Sequence, residues 1–277
     1  MGFRINTNIA SIAAQRSLSV NNRESENNLA KLSSGTRITK ASDDAAGLAI
    51  SEKLKANIRS LKQADRNAND GISMIQTAEG GLNESSAILT RMRELAIQTS
   101  SDTVGDVERG MTNMEYQNLK QELERIAQVT EFNGKKLLNG EGGQFEFQIG
   151  ANNDSFQDRI GYDAGMANSK MDALGVSELD VSSKEGSQSS LAAVDAAIEK
   201  VSGQRAYLGA IQNRLVSTSN NLQVNVENIS QANSRIRDVD YADATATKAK
   251  NDILSSAGTS VLAQANMSGQ NALKLIG

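Results

Sequence analysis

Read in sevens, residues Leu54–Ala96 are LKANIRS LKQADRN ANDGISM IQTAEGG LNESSAI LTRMREL A. The leading residues are Leu54, Leu61, Ala68, Ile75, Leu82, Leu89 and Ala96, apolar at all seven positions. A second such run begins at Val194 and continues Val201, Leu208, Leu215, Leu222, Ile229 and Ile236. Heptads sustained this long specify long helices packed side by side along a coiled-coil-like seam. Between them, Ala64, Gly71, Ala78 and Ser85 are small and let a partner helix approach closely, with Ile58 and Ile72 as a flank. Leu191, Ile198 and Ile211 add to the second run. The expected core seam is thus Leu54, Leu61, Ile75, Leu82, Val201, Leu208, Leu215, Leu222 and Ile229, a packing surface and not a ligand site.

The first helix is expected over about 43–100, opening at Ser42-Asp43-Asp44, whose side chains suit a helix N-terminus and its dipole. At 1.5 Å per residue it would reach roughly 80 Å. The second is expected over about 187–237. A shorter helix over about 107–129 carries Tyr116, Leu119, Leu123 and Ile126, and the short polar join before it turns it back antiparallel. Asp238 and Asp240, flanking Tyr241's approach, read as a helix break. The ends are helical but weakly apolar. Residues 5–33 carry Ile5, Ile9, Ile12, Leu18, Leu29 and Leu32; residues 243–276 carry Leu254, Val261, Ala265, Ala272 and Leu275. Rich in Ala, Ser, Asn and Gln, such helices do not offset their own ordering entropy and need partners: each other, repeated across neighbouring molecules.

The middle changes character. Glu131–Gly134 and Asn139–Gly143 are turn signals, Gln144–Ile149 alternates as a strand, and Phe156–Tyr162 reads as its return, giving a β-hairpin over about 144–162. Three of the five Phe lie between 145 and 156, which places a small apolar core there. Residues 165–190, rich in Ser, Asp and Gly, read as an exposed tip. The chain therefore reverses once. The expected fold class is mainly α: a folded-back long-helix rod with a small β-hairpin region and paired termini. The family resemblance set out below implies two domains, a discontinuous inner one of residues 1–42 plus 240–277 and an outer one of 43–239.

Composition narrows function. Over 277 residues there is no Cys, no His, no Trp and no Pro, and aromatics are 3%. An average chain of this size would carry roughly fourteen prolines; their absence favours uninterrupted helices. Without Cys and His there are no disulfides, thiol nucleophiles, imidazole bases or ordinary zinc sites, so only carboxylate, Lys, Tyr or Ser–Lys chemistry remains. A net charge of −4, with Lys and Arg dispersed among acids, gives no nucleic-acid footprint. Arg4, Asn6, Asn8 and Arg16 break any apolar run at the start, as no cleaved secretory signal would allow, and no stretch is long enough to insert in a membrane. Gly134-Lys135-Lys136 lacks the remainder of a phosphate loop. No cofactor or metal is implied.

Several blocks in order carry a resemblance. They are Ile5–Asn8 with Lys31–Ile38, Ala41–Ser51 (ASDDAAGLAIS), Leu89–Gln98 (LTRMRELAIQ), Thr130–Leu138 (TEFNGKKLL), Ser234–Ala242 (SRIRDVDYA) and Ser255–Asn271. Together, over essentially the whole chain, they resemble bacterial flagellin, the subunit of the flagellar filament. The short middle makes it similar to a minimal flagellin of two core domains, and the segment Met267–Gln270 and the Ile276-Gly277 end depart from the usual pattern. The resemblance implies a non-enzymatic structural role, self-assembly with other flagellin subunits into a helical filament outside the cell, and swimming motility. It implies an uncleaved N-terminal signal read by the flagellar type III export apparatus, a cytoplasmic export chaperone on the last ~35 residues, and hook-associated junction and cap proteins as partners. Ile5, Ile9, Ile12, Leu254, Val261, Ala265 and Leu275 are the expected polymerisation and chaperone residues. Arg91, Leu95 and Glu122, read as exposed helix positions, stand with Leu89 of the heptad run where many flagellins meet a Toll-like innate immune receptor; the alternative is that they are subunit contacts. Ser and Thr between 177 and 190 are candidates for O-glycosylation. A hook–filament junction protein is the competing reading, and a cytosolic coiled-coil scaffold a third.

Overall fold

The computed structural model describes residues 7–274, and side chains as far as Met267. The elements in order are α1 (Ile9–Ser34), α2 (Ala45–Thr99), α3 (Asp106–Val129), β1 (Glu131–Phe132), β2 (Lys135–Lys136), β3 (Gln144–Gln148), β4 (Arg159–Asp163), a 3-10 turn (Ala164–Ala167), α4 (Met171–Leu174), α5 (Lys184–Arg237) and α6 (Tyr241–Lys274). The chain forms two compact units, residues 1–56 with 228–277 and residues 57–227. The division falls inside α2 and α5. The expected boundaries near 42 and 240 coincide instead with the breaks between α1 and α2 and between α5 and α6.

The second unit, 57–227, holds the large core. On α2 the positions Ala68, Ile75, Leu82, Leu89 and Ala96 are buried, and so are Ala64, Ala78, Ser85, Met92 and Thr99 of the intervening stripe. On α5 Val194, Val201, Leu208, Leu215 and Leu222 are buried. The two helices are antiparallel: Arg93 pairs with Asp195 (2.5 Å), Arg205 with Glu79 (3.6 Å), and Ser219 Oγ donates to Asp65 Oδ1 (2.5 Å). In the first unit, Leu54 and Ile229 are only half-buried.

α3 folds back on the end of α2 as its short connection requires. Arg109, almost fully buried, donates Nε to Thr99 O (3.0 Å) and Nη2 to Ser101 O (2.9 Å), satisfying carbonyls that the end of α2 leaves free. Asn133-Gly134, with φ of 50° and 76°, makes the tight turn between β1 and β2. β3 and β4 pair antiparallel with Phe145 opposite Tyr162, their rings stacked at 5.8 Å. Phe147 lies on α2, where a Cβ at Gly71 would meet its ring at 3.0 Å.

Two expectations about the middle are corrected. The return strand begins at Arg159, so Phe156 lies outside it and is 91% exposed instead of joining the apolar core. Residues 164–183 are not an exposed tip: Ala164, Ala167, Leu174, Val176 and Val181 enter the core. One polar face of α3 clasps this segment. Lys120 Nζ donates to Ser177 O (2.6 Å) and Leu179 O (3.0 Å), Gln117 Nε2 donates to Leu179 O (3.2 Å), and Asn113 and Glu124 accept from the Val181 and Met171 amides. Burial pushes the Lys120 ammonium below its ordinary range.

Tyr116 is fully buried in this core, and burial pushes its phenol from 10.0 up to about 12. The core holds the neutral form. The contribution is therefore full below pH 10 and is lost as pH rises through about 12. Circular dichroism during alkaline titration should show unfolding over that window, and Tyr116→Phe should move the midpoint upward. An unmoved midpoint would contradict the assignment.

Candidate functional site

In the first unit α1 and α6 run antiparallel, and asparagine side chains set their register. Asn8 Nδ2 donates to Ala265 O (2.8 Å), Asn21 Nδ2 to Asn251 O (2.9 Å), and Asn28 Nδ2 to Ala244 O (2.8 Å). Ser11 Oγ donates to Asn266 Oδ1 (2.8 Å). The α1 residues that lose solvent here are Asn8, Ser11, Ala14, Leu18, Asn21, Ser25, Asn28 and Leu32 at three- and four-residue spacing; those of α6 are Ala244, Lys248, Asn251, Ser255, Gly258, Leu262 and Ala265. The seam is thus mostly small and polar. A Cβ at Gly258 would come within 3.2 Å of Leu18, so the helices approach closely there.

Leu18, Leu32 and Leu262 stay in the seam, but most of the large apolar side chains face the other way. Ile9 (64%), Ile12 (59%), Leu29 (55%), Ile253 (69%) and Val261 (58%) are exposed, as are Val20, Leu254 and Met267. This inverts the amphipathic rule for a helix pair that stands alone. The expected pairing of the two terminal helices is present, through this largely polar seam. Ile9, Ile12, Leu254 and Val261 lie on the outward surface; Ala265 is half-buried in the seam and its carbonyl is taken by Asn8. Ile5 and Leu275 lie outside the described residues.

The pair is closed at one end. Arg37 N donates to Arg237 O (2.7 Å) and Val239 N to Gly35 O (3.1 Å), beside the Thr36–Asp238 bridge. Asp240 caps α6, accepting from Ala242 N (2.8 Å). Asp44 caps α2, accepting from Gly47 N (2.8 Å). Asp43 instead accepts from Lys40 N, Thr39 Oγ1 and Thr39 N (2.9–3.0 Å), and these bonds hold its carboxyl below the usual range. The acidic pairs read as helix breaks and caps in the sequence are those. Among the described residues no group of acidic side chains could hold a metal ion, and no helix is long and apolar enough to cross a membrane.

The four receptor candidates separate. Arg91 is half-exposed and pairs with Glu115 (2.9 Å) and Glu94 (3.0 Å), which raise its pKa, Glu115 first. Glu122 is half-buried and pairs with Arg125 (2.5 Å), which lowers its pKa. Leu89 and Leu95 are not exposed; they are 0% and 2% accessible. Leu89 is a member of the heptad stripe. Leu95 is covered because this end of α2 has both α5 and α3 as neighbours, which widens its buried arc. The outward apolar face of α1 and α6 was legible as a set of residues, but its direction was not, since it depends on which stripe forms the seam.

Asn28→Ala removes a seam donor worth about 1 kcal/mol. Hydrogen exchange of the α6 amides from Lys248 to Asn251 should accelerate about fivefold, with unit 57–227 unchanged. Unchanged exchange in α6 would show that the asparagines do not hold the pair.

Comparison with known proteins agrees with this architecture. Residues 5–142 match the bacterial flagellin N-terminal helical region and residues 191–276 the bacterial flagellin C-terminal helical region. The chain is 43% identical over 272 residues to a flagellin of Halalkalibacterium halodurans, covering 98% of this chain and 99% of that one. It is 44% identical over 283 residues to the flagellar filament core protein flaB2 of Brachyspira hyodysenteriae, covering 98% and 99%. Among solved structures, Bacillus cereus flagellin aligns with a TM-score of 0.51 at 28% identity, covering 57% of this chain and 88% of that one. A putative flagellar hook-associated protein from Vibrio parahaemolyticus shares the fold over 71% of this chain and 100% of its own, with a TM-score of 0.58 at 15% identity. At that identity it speaks for fold alone, whereas the near-full-length relatives decide the family. The chain belongs to the bacterial flagellin family, a family of structural proteins and not of enzymes.

Proposed function

We propose that this chain is the subunit of a flagellar filament outside the cell, and that it polymerises through the outward apolar faces of α1 and α6. The observation that carries this is the inverted helix pair: small polar residues inside, Ile9, Ile12, Leu29, Ile253, Leu254 and Val261 outside. Each large side chain moved from water into a neighbour's surface stabilises by about 1.5–3 kcal/mol. A subunit repeats that gain at every contact, so growth is cooperative and seeded. A contact between unlike surfaces of identical copies does not close on itself and gives a helical polymer.

Before assembly the same face needs cover. A cytoplasmic export chaperone shielding α6 meets that need, and passage through the flagellar type III apparatus as an unfolded or helical chain suits a sequence with no Cys and no Pro. Hook-associated junction and cap proteins would bind at the filament ends through matching terminal helices. On released subunits, the exposed Arg91 and the half-buried Glu122 offer charges to a Toll-like receptor, without Leu89 and Leu95.

Deleting residues 243–277 should abolish growth from sheared filament seeds while the melting of unit 57–227 stays as in the full chain. Electron microscopy reads the first and calorimetry the second. Filament growth from the truncated chain would overturn the proposal.

A further inference from the structure

The two turns in the middle of the chain hold its two Asn-Gly pairs, Asn133-Gly134 and Asn139-Gly140. Glycine has no side chain to crowd an approaching group, so in such a pair the glycine nitrogen can reach the carbon of the asparagine amide. The fold treats the two pairs in opposite ways.

Asn139 is locked. It is buried, its Oδ1 accepts from Glu141 N (2.9 Å), and its Nδ2 donates to Glu141 Oε2 (2.9 Å). Glu141 is held in turn by Lys170, whose Nζ lies 3.0 Å from Oε1. Asn168 closes over Gly140, where a Cβ would meet its Nδ2 at 2.5 Å. Swinging the Asn139 amide onto Gly140 N therefore breaks two hydrogen bonds in a confined space.

Asn133 is free to move. It and Gly134 are exposed, its side chain makes no hydrogen bond among the described residues, and nothing lies within 4 Å of a Cβ placed on Gly134. Among the described residues, Asn133 is the one non-glycine with a positive φ (50°), a backbone state that side chains rarely adopt. The hairpin around it has two residue pairs, Glu131 with Lys136 and Phe132 with Lys135. So short a ladder is marginal and opens locally. Opening lets the turn leave the left-handed state and brings Gly134 N to Asn133 Cγ.

We infer that Asn133 is a site of spontaneous deamidation and that the fold protects Asn139 from the same reaction. Gly134 N gives its proton to a base and bonds to Asn133 Cγ. The Cγ–Nδ2 bond breaks, and the nitrogen takes up a proton and leaves as ammonia. The cyclic imide that remains adds water, the one co-reactant. Cleavage between Gly134 N and Cγ leaves an aspartate in a normal backbone. Cleavage between Gly134 N and the backbone carbonyl carbon leaves an isoaspartate, whose main chain runs through Cβ and Cγ. Either product adds a negative charge to the hairpin tip. Isoaspartate also lengthens the two-residue turn by one main-chain atom and disturbs the pairing of Phe132 with Lys135. Leu137 and Leu138, fully buried just beyond, confine the change to the tip. This chemistry goes beyond the filament reading and does not depend on it.

Asn133 and Asn139 lie on opposite sides of Lys135 and Lys136, so trypsin puts them in separate peptides. The folded full chain is aged in warm, mildly alkaline buffer and followed by mass spectrometry of those peptides. Position 133 should convert about thirtyfold faster than 139, the factor that two hydrogen bonds supply. Its isoaspartyl product should accept a methyl group from S-adenosylmethionine in the presence of an isoaspartyl methyltransferase. In denaturant the two sites should react at similar rates. Glu141→Ala should speed conversion at 139 about fivefold and leave 133 unchanged. Equal rates in the folded chain, or no conversion at 133 while the denatured chain reacts, would overturn the inference. Glu141→Ala without effect at 139 would overturn the protective contact.

Discussion

The terminal pair is held by amides reaching across to helix carbonyls, and everything distinctive about the molecule depends on that choice of seam. Asn8, Asn21 and Asn28 spend their side chains on Ala265, Asn251 and Ala244. Small neighbours let the backbones come close enough for this. Because small and polar residues occupy most of the inside, most of the large apolar ones face outward. Four inter-helix hydrogen bonds at about 1 kcal/mol each are a modest tie for helices of 26 and 34 residues. The outward apolar side chains are surface that further burial would turn into stability.

Unit 57–227 follows the opposite logic. Its seam is apolar on both heptad positions, α3 adds a third layer near the end of α2, and the loop 164–183 is drawn in by side chains of α3. It contains what a self-sufficient fold needs: a dry core, a buried arginine satisfying a helix end, and a tight hairpin with stacked rings. One chain thus carries a part with its own complete core and a part that turns its apolar side chains outward. That division fits a subunit of a polymer.

The long helices were legible because a seven-residue period repeats too often to be accidental, and helix limits at Asp44 and Asp240 were legible because capping is local chemistry. What the sequence concealed was non-local. Leu95 reads as a surface residue on α2 taken alone and is buried only because α3 returns over it. Residues 164–183 read as a polar tip because nothing in Asn113, Gln117, Lys120 and Glu124 announces that they will bind a distant backbone. Phe156 reads as core by its identity, but the Asp154 turn carries it past the strand and out to solvent. At the termini the apolar residues were identified, but the asparagine seam was not, because composition does not distinguish it from an ordinary exposed face.

The most direct test is hydroxyl-radical footprinting of the same protein as monomer and as filament. The account predicts that Ile9, Ile12, Leu29, Ile253, Leu254 and Val261 become strongly protected on assembly. Equal reactivity of these six side chains in monomer and filament would contradict the claim that the polymer is what covers them.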